Sequence, residues 1–512
     1  MHSILNSILN YVHGDGLTIL PQMELLLFAL GILIFDFLLA ENEKHWNAIL
    51  ALMGVAAAGI GLFMQGQRFA ADIGYASEHP DQGAFPGLLG FHETIVVDGL
   101  FLVFAAIFLA ATALVILLSI RYLDLEAEQQ GEYYALLLFA CIGMMFMASG
   151  IDLIVQFLGL ETMALSFYVL TGFLRREKRS NEAALKYLLL GGFSSAILAY
   201  GFSLLYGASG GFTGIREIAY SLDRRMTTTD AHGVTDWLVI LAFVTIAAGL
   251  FFKIAAVPFH QWAPDVYEGA PTPITAYISV ASKTASFALL LRLMTVVFGG
   301  SQPTWVFLMA GVAIASLTWG NLAALTQNNL KRLLAYSSIS HVGYVLLGLV
   351  AGNLTGLIGI VYYLLAYVFM TLGAFATIII LRQRGIIGDE ISDLDGLYQR
   401  SPYAAVLLLV FMLSLAGIPP TAGFMGKYFI FQALIETHHP VLAIFAALYI
   451  VPALYYYFRI VVHAWVKRPG DAAVPLISDA QLVALTVAAF VTLAAGLYPE
   501  PFTRLAHYAI GP

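Results

Sequence analysis

The chain has 512 residues, of which 60% are hydrophobic and only 11% are charged. Soluble domains carry about 25% charged residues, so this composition excludes an ordinary soluble fold and indicates a protein that crosses a membrane many times. The net charge of −8 says little, because membrane topology depends on where the charges lie. A single cysteine, Cys141, excludes a cysteine-ligated iron–sulfur cluster within the chain, and the sequence holds no nucleotide-binding motif. Any redox or nucleotide chemistry must therefore belong to partner chains.

Apolar stretches long enough to cross a bilayer, about 20 residues each, recur along the whole chain. The first carries the acidic residues Glu24 and Asp36 and has no basic flank, which is typical of a retained helix and not of a cleaved signal peptide. The pattern predicts an all-α polytopic membrane protein with about fourteen transmembrane helices. The predicted spans are 18–40, 46–66, 98–120, 132–149, 152–174, 181–206, 236–258, 273–298, 303–325, 331–351, 355–381, 402–435, 441–465 and 478–497.

The basic residues between the spans predict the orientation of the chain. With the N-terminus on the outer side, most of them fall in inner loops, including the RREKRS stretch from Arg175 to Ser180. Because inner loops of membrane proteins are enriched in lysine and arginine, both termini are expected on the outer side.

Two predicted spans contain residues that break a helix. The seventh holds Lys253 and ends at Pro258, and the twelfth contains Gly417, Pro419 and, shortly after the break, Lys427. These spans lie five apart, which suggests a five-span unit used twice. Because five is odd, the second copy is inverted in the membrane, an arrangement typical of transporters.

Four lysines lie within predicted spans, and a lysine at the centre of a lipid-facing helix costs about 2.5–3.5 kcal/mol. They are therefore expected to face a hydrated or paired interior, and Glu161, in the fifth span, is the expected partner. A lysine and a carboxylate that approach and separate can load and release a proton. The four residues are Lys186, Lys253, Lys283 and Lys427.

Two histidines are candidates for the same path. His260 follows Lys253 by seven residues, beyond the Pro258 break, and is expected to act as a relay or gate. His341, in the tenth span, lies five spans after Glu161 and is its best counterpart in the second repeat.

Each of these residues also has a structural interpretation. Lys186 follows the basic loop and could extend its charge to the inner interface. Lys283 lies among small residues, where it could serve only helix packing and hydrogen bonding. Glu161 could belong to a purely structural ion pair. Arg292, near the end of a span, is expected to be an interfacial anchor.

Four stretches carry a resemblance to a known family. They closely resemble the antiporter-like membrane subunits of proton-pumping NADH:quinone oxidoreductase, respiratory complex I. The VPFHQWAPDVYEGAPTP and EAALKY motifs resemble the subunit N branch of that family. The stretches are SNEAALKYLLLGGFSSAILAYG (Ser180 to Gly201), KIAAVPFHQWAPDVYEGAPTPITAYISVASK (Lys253 to Lys283), NLKRLLAYSSISHVGY (Asn329 to Tyr344) and SLAGIPPTAGFMGKYFIF (Ser414 to Phe431).

The resemblance implies two inverted five-helix repeats, spans 4–8 and 9–13, with broken helices 7 and 12. The implied segments are 1–131 with three spans, 132–298 and 303–465 as the repeats, and 466–512 with the last span. Matched by motif, Glu161 is the coupling carboxylate and Lys427 the exit group. The other matched proton-transfer positions are Lys186, Lys253, His260 and Lys283.

The resemblance also implies the setting in which the chain works. No cofactor is expected in this chain; flavin, iron–sulfur clusters and quinone are expected in partner subunits, so contact with quinone is indirect. The expected partners are other membrane subunits of the complex, especially adjacent antiporter-like subunits, and the lipid bilayer, with no nucleic acid. The expected location is the bacterial inner membrane, with both termini on the periplasmic side.

Two related functions remain open from the sequence. One is a subunit of a multisubunit cation/proton antiporter, and the other is the same subunit in a ferredoxin-linked photosynthetic-type complex. A membrane enzyme with its own substrate is disfavoured, because the charges are spread over spans 5 to 12 and are not gathered at one interface.

Overall fold

A computed structural model describes residues 15–40, 43–78, 87–126, 128, 130–228, 237–382, 388–469 and 474–511. Helices account for most of this chain, and strands β1 (Leu88–Gly90) and β2 (Ile95–Val97) pair as a short antiparallel hairpin. The α-helices are α1 (Asp15–Thr18), α2 (Leu20–Asp36), α3 (Trp46–Glu78), α4 (Gly99–Glu126), α5 (Gly131–Ser149), α6 (Leu153–Thr171), α7 (Lys178–Ser209), α8 (Ile215–Thr228), α9 (Trp237–Ile254), α10 (Trp262–Gly269), α11 (Thr272–Tyr277), α12 (Lys283–Arg292), α13 (Gln302–Ala324), α14 (Leu330–Ala351), α15 (Leu354–Ile379), α16 (Leu397–Arg400), α17 (Pro402–Ala416), α18 (Ala422–Glu436), α19 (Pro440–Leu448), α20 (Ile450–Trp465), α21 (Asp479–Leu497) and α22 (Glu500–Ile510).

Twelve helical segments of the described chain are long and apolar enough to cross a membrane. The predicted all-α polytopic fold is thereby confirmed, and twelve of the fourteen predicted spans correspond to these segments. The first predicted span is the 17-residue helix α2, and the twelfth is divided between α17 and α18. The total of fourteen spans remains a prediction.

The helices differ in how much of their surface other helices cover. Helix α14 is 94% buried along its apolar window, whereas the segment Pro440–Trp465 is 28% buried. A helix that is apolar all round and covered all round belongs to the interior, so α14 lies at the centre of the bundle. The polar side chains in the middle of α14, including Ser338 and His341, are consequently buried against protein.

Small residues bring the helices of the bundle close together. A Cβ atom added at Gly159 of α6 would lie 2.8 Å from the backbone nitrogen of Met147 on α5. A Cβ added at Gly320 of α13 would lie 2.6 Å from the backbone nitrogen of Ser340 on α14. Both spacings are too short for any larger side chain, and such close helix contacts are the usual way that membrane helices pack.

Both predicted breaks are confirmed. Helix α9 ends at Ile254 and the chain passes through Pro258 before α10 begins, while α17 ends at Ala416 and α18 begins at Ala422. Side chains bond the backbone near each break, because unpaired polar groups are costly away from water. The Trp262 indole donates to the Phe252 carbonyl at 2.8 Å, and the Gly423 amide donates to the Ser414 hydroxyl at 3.1 Å.

The segment Thr272–Val297 is irregular in a different way. Two π-helical stretches, Ile278–Ser282 and Leu293–Val297, interrupt it on either side of α12. Lys283 is the first residue of α12, directly after the first π-helical stretch. Such stretches are rare and occur often at functional sites.

Candidate functional site

Three of the four lysines predicted to lie within spans are buried in the bundle, on three different helices. Lys253 is 3% exposed, Lys283 is 1% exposed and Lys427 is 3% exposed. In the described part of the chain, none of them forms an ion pair with a carboxylate within 4.0 Å. Each ammonium instead lies over a tyrosine ring, at a distance where a cation is attracted to the ring face. The distances from Nζ to the ring centroid are 5.8 Å for Lys253 over Tyr168, 5.6 Å for Lys283 over Tyr267 and 4.8 Å for Lys427 over Tyr344.

Lys253 lies in the last turn of α9, next to the first break. Its Nζ donates to the Tyr168 hydroxyl of α6 at 3.3 Å. The predicted partner Glu161 is on the same helix as Tyr168 but does not contact Lys253 directly. Its Oε1 atom is buried and has no hydrogen-bond partner within the described chain. Sequence reasoning missed Tyr168, although its position seven residues after Glu161 places both side chains on one helix face.

Lys283 reaches from α12 to the central helix α14. Its ammonium donates to the hydroxyl of Ser338. The surrounding residues of α11 and α12 are buried, so this hydroxyl takes the place that water would take at an exposed lysine. Lys283 is thereby joined to the helix that also carries His341.

His341 is hydrogen-bonded at both ring nitrogens. Nδ1 lies 2.6 Å from the Tyr363 hydroxyl, and Nε2 lies 3.1 Å from the Tyr457 hydroxyl. The Tyr457 hydroxyl is also hydrogen-bonded to Ser337, the neighbour of Ser338. A tyrosine hydroxyl can donate or accept, so either neutral tautomer of His341 is accommodated. The ring is thus placed to exchange protons with groups on both sides.

Lys427 lies on α18, immediately after the second break. Its Nζ donates to the backbone carbonyls of Ala416, at 2.9 Å, and Leu415, at 3.3 Å. These carbonyls form the C-terminal end of α17, where the helix carries partial negative charge and stabilises a cation. The break therefore creates the site that holds this lysine.

His260 lies in the first break and is 8% exposed. Its ring packs edge-on against Trp319, with 5.9 Å between centroids. Its Nδ1 atom is buried and has no hydrogen-bond partner in the part of the chain that the structure describes. The structure does not bring His260 into hydrogen-bonding contact with any of the three buried lysines.

Lys186 differs from the other three lysines in its surroundings. Its side chain is 41% exposed and pairs with Glu182 at 2.7 Å and with Asp265 at 2.8 Å. The Lys186 ammonium is paired with carboxylates, as expected for a charge that would be costly in hydrocarbon. The pairing lies near the surface, however, and does not involve Glu161. The reason is its position on α7, about two turns after the basic loop.

Lys186 belongs to an ion-pair cluster around a cavity of about 210 Å³. Arg332 of α14 bridges Asp265 and Glu268 of α10, with 2.9 Å to each. Burial alone would raise the pKa of Asp265, but hydrogen bonds from Lys186 and Arg332 hold that pKa below its ordinary value. The cluster comprises Arg179, Glu182, Lys186, Asp265, Glu268 and Arg332.

Two further ion pairs were not anticipated from the sequence. Lys331 pairs with Asp389 at 3.3 Å, both side chains being 6% exposed, and it also donates to the Ala270 carbonyl at 3.1 Å. Arg292 binds the Asp98 carboxylate through two nitrogens, each at 2.8 Å. The interpretation of Arg292 as an interfacial anchor is wrong, because only 6% of the residue is exposed. No local pattern joins partners so far apart in the chain.

Comparison with known proteins agrees with this fold. Residues 150–451 match the family model described as "NADH:quinone oxidoreductase/Mrp antiporter, TM". A chain in the structure of respiratory complex I from Thermus thermophilus with bound aureothin has 30% sequence identity and a TM-score of 0.76. That match covers 95% of this chain and 99% of the other. The family model and the fold together show a membrane protein of the antiporter-like class.

Relatives with curated names narrow the class to one branch. The NADH-quinone oxidoreductase subunit N 1 of Koribacter versatilis is 52% identical, over 97% of this chain and 96% of that protein. The subunit N 2 of Solibacter usitatus is 50% identical, over 98% of each. The chain belongs to the subunit N family of NADH-quinone oxidoreductases.

Proposed function

We propose that this chain is a proton-translocating membrane subunit of NADH:quinone oxidoreductase, complex I. It couples quinone reduction in partner subunits to proton transfer along buried lysine, glutamate and histidine side chains. The observation that carries the proposal is the set of three buried lysines that contact hydroxyls, carbonyls and tyrosine rings without a direct carboxylate partner. A buried ammonium that no carboxylate neutralises responds strongly to any nearby change of charge, because the interior screens charge poorly.

The hydrogen bonds around His341 support a path through the second half of the chain. Lys283 passes its proton towards Ser338 on α14, and the adjacent Ser337 is bonded to Tyr457. Tyr457 and Tyr363 then flank His341. Protons move along such a run of hydroxyls and imidazole with short displacements, and water completes the remaining gaps.

The last part of the path joins His341 to Lys427. The Tyr363 ring stacks on Tyr344, with 6.3 Å between centroids, and the Tyr344 ring lies beneath the Lys427 ammonium. Lys427 is the exit group in this proposal. The carbonyls at the end of α17 stabilise its charged form until the proton leaves.

The remaining predicted residues act around the first break. Glu161 is the coupling carboxylate, whose charge acts on Lys253 without direct contact. His260, with its unpartnered Nδ1 atom, is a relay that water would connect to the lysines. Lys186 contributes through the ion-pair cluster, where exposed charged side chains keep water beside α10.

The setting of the chain is part of the proposal. Other membrane subunits of the complex, especially adjacent antiporter-like subunits, are its partners, and the flavin, iron–sulfur clusters and quinone lie in partner subunits. The chain resides in the bacterial inner membrane with both termini on the periplasmic side. Segments 132–298 and 303–465 act as two inverted repeats, each with one broken helix and a lysine beside the break.

The experiment is the replacement of Lys253 in the whole complex. Lys253→Ala is expected to weaken proton pumping and the coupled quinone reductase activity while the complex still assembles. Lys467→Ala, at an exposed lysine after α20, is the matched control. Wild-type proton pumping by a fully assembled Lys253→Ala complex would overturn the assignment.

A cation/proton antiporter subunit is the second candidate, because the matching family model covers both kinds of protein. The same lysines would then work without electron input. Mass spectrometry of chains that co-purify in mild detergent separates the two. Flavin and iron–sulfur chains support the oxidoreductase, a ferredoxin-binding chain supports the photosynthetic-type variant, and further antiporter subunits alone support the second candidate.

A further inference from the structure

One side chain, Tyr168, contacts Lys253 and lies on the helix that also carries Glu161. Glu161 and Tyr168 lie seven residues apart on α6, so that both face the same direction from the helix. Tyr168 is 5% exposed, and its hydroxyl accepts a hydrogen bond from Lys253 Nζ. The carboxylate and the lysine have no direct bond, and the Glu161 Oε1 atom is buried without a partner in the described chain.

The fold holds the Tyr168 hydroxyl in place from the side of α7. A Cβ atom added at Gly191 would overlap the hydroxyl and would lie 2.7 Å from the Cζ atom of the ring. One turn earlier on α7, Tyr187 packs edge-on against the Tyr168 ring, with 4.8 Å between centroids. Tyr187 in turn stacks on Trp262, just beyond the first break, at 4.7 Å. Glycine at position 191 is thus what allows the hydroxyl to reach Lys253.

We propose that the Tyr168 hydroxyl relays protons between Lys253 and Glu161, a role that rests on the proposed proton-translocating function. The Lys253 ammonium gives a proton to the tyrosine oxygen, and the proton already on that oxygen passes through one water to the Glu161 carboxylate. Lys253 becomes a neutral amine and Glu161 a carboxylic acid, while Tyr168 remains a neutral phenol. The reverse step follows the same atoms.

Two substitutions test the relay in the assembled complex. Tyr168→Phe keeps the ring and removes the hydroxyl, and Gly191→Ala keeps the hydroxyl but displaces it from Lys253. Each is expected to lower proton pumping and the coupled quinone reductase activity about tenfold. This loss is smaller than the ~10²–10⁴-fold that general acid–base groups contribute, because water replaces the hydroxyl in part.

The neighbouring glycine supplies the matched control. Gly192 is on the same helix, and a Cβ atom added there meets nothing within 4 Å. Both glycine-to-alanine changes favour the helix equally. Gly192→Ala is therefore expected to pump as the wild type does.

A double substitution separates relay from packing. If Gly191→Ala acts only by moving the hydroxyl, Tyr168→Phe/Gly191→Ala pumps as well as Tyr168→Phe alone, since there is no hydroxyl left to move. Multiplied losses in the double variant would overturn the relay and assign the effect to packing. Where Gly191→Ala prevents assembly, Tyr168→Phe decides alone.

The Lys253→Ala variant, measured in the same series, keeps the two proposals distinct. Wild-type pumping by assembled Tyr168→Phe, together with loss in Lys253→Ala, overturns the relay and leaves the proposed function in place. Wild-type pumping by both variants overturns the relay and the proposed function together.

Discussion

Lys427 donates to the Ala416 carbonyl at 2.9 Å, so the lysine of one half-helix rests on the C-terminal end of the other. Lys253 is held differently, because its Nζ donates to the Tyr168 hydroxyl and not to backbone carbonyls. The two broken helices therefore present their lysines to different chemistry. Lys427 gains from the partial negative charge of a helix end, whereas Lys253 depends on a single side chain from a neighbouring helix.

Replacing Lys427 with arginine distinguishes a role as a fixed positive charge from a role as a proton donor. Arginine keeps a positive charge at the end of α17, but it does not release a proton in proteins. Lys427→Arg is expected to assemble and to lower proton pumping about tenfold or more if Lys427 is an exit group. Proton uptake into vesicles that contain the reconstituted complex measures this.

The control for that variant is Lys467→Arg, which makes the same change at an exposed lysine. It is expected to pump normally. If Lys427→Arg also pumps normally, Lys427 serves as a fixed charge and not as a proton carrier.

Removing the Tyr457 hydroxyl is expected to slow transfer between Lys283 and Lys427. Tyr457→Phe keeps the ring but breaks the bonds to Ser337 and to His341 Nε2. Water can enter the vacated place only in part, so pumping is expected to fall several-fold and not to vanish. Tyr455→Phe is the matched control, since Tyr455 lies on the same helix and is 62% exposed. Equal pumping by the two variants would exclude a relay through Tyr457.

The positions of the breaks follow from local chemistry, and the sequence predicted them for that reason. Proline removes a backbone donor at 258, and Gly417 caps the end of α17 with a positive φ of 86°. The burial of Lys253, Lys283 and Lys427 was also predictable, because lipid exposure of a lysine is costly.

The partners of these lysines could not be predicted in the same way. Tyr168 and Ser338 meet their lysines only through packing between helices far apart in the chain. For Lys186 the predicted surroundings themselves differ from the structure. Its place within an apolar stretch predicted a position in the bundle interior, whereas it lies in a polar ion-pair cluster near the surface. The span that contains Glu161 predicts the region of the bundle in which this carboxylate lies. It does not predict which side chains the carboxylate contacts.

The ion-pair cluster leads to a prediction about pH. Because the folded pKa of Asp265 is below its ordinary value of 3.8, its pairing contributes stability above that value, and the contribution is lost as the pH falls through the folded pKa. The thermal stability difference between wild type and Asp265→Asn is therefore expected to stay constant from about pH 5 to 8 and to shrink below about pH 4. Solvent reaches the pair, so the difference corresponds to about 1 kcal/mol or less. A difference that disappears between pH 5 and 8 would contradict this account of Asp265.

The buried pair Lys331–Asp389 is expected to matter more for stability than any exposed pair. Lys331→Ala leaves the Asp389 carboxylate buried without its cation, and breaking such a pair costs about 3–5 kcal/mol. Burial already raises the pKa of Asp389, and Lys331 opposes that effect, so its loss removes the main compensation. The expected result is a clear fall in thermal stability and in the yield of assembled complex.

The double variant Lys331→Ala/Asp389→Ala removes the unpaired carboxylate as well and is expected to restore part of the thermal stability. A double-mutant cycle built from the thermal stabilities of the wild type, the two single variants and the double variant measures this. A double variant as unstable as the sum of the two single variants would show that the two side chains stabilise the fold independently.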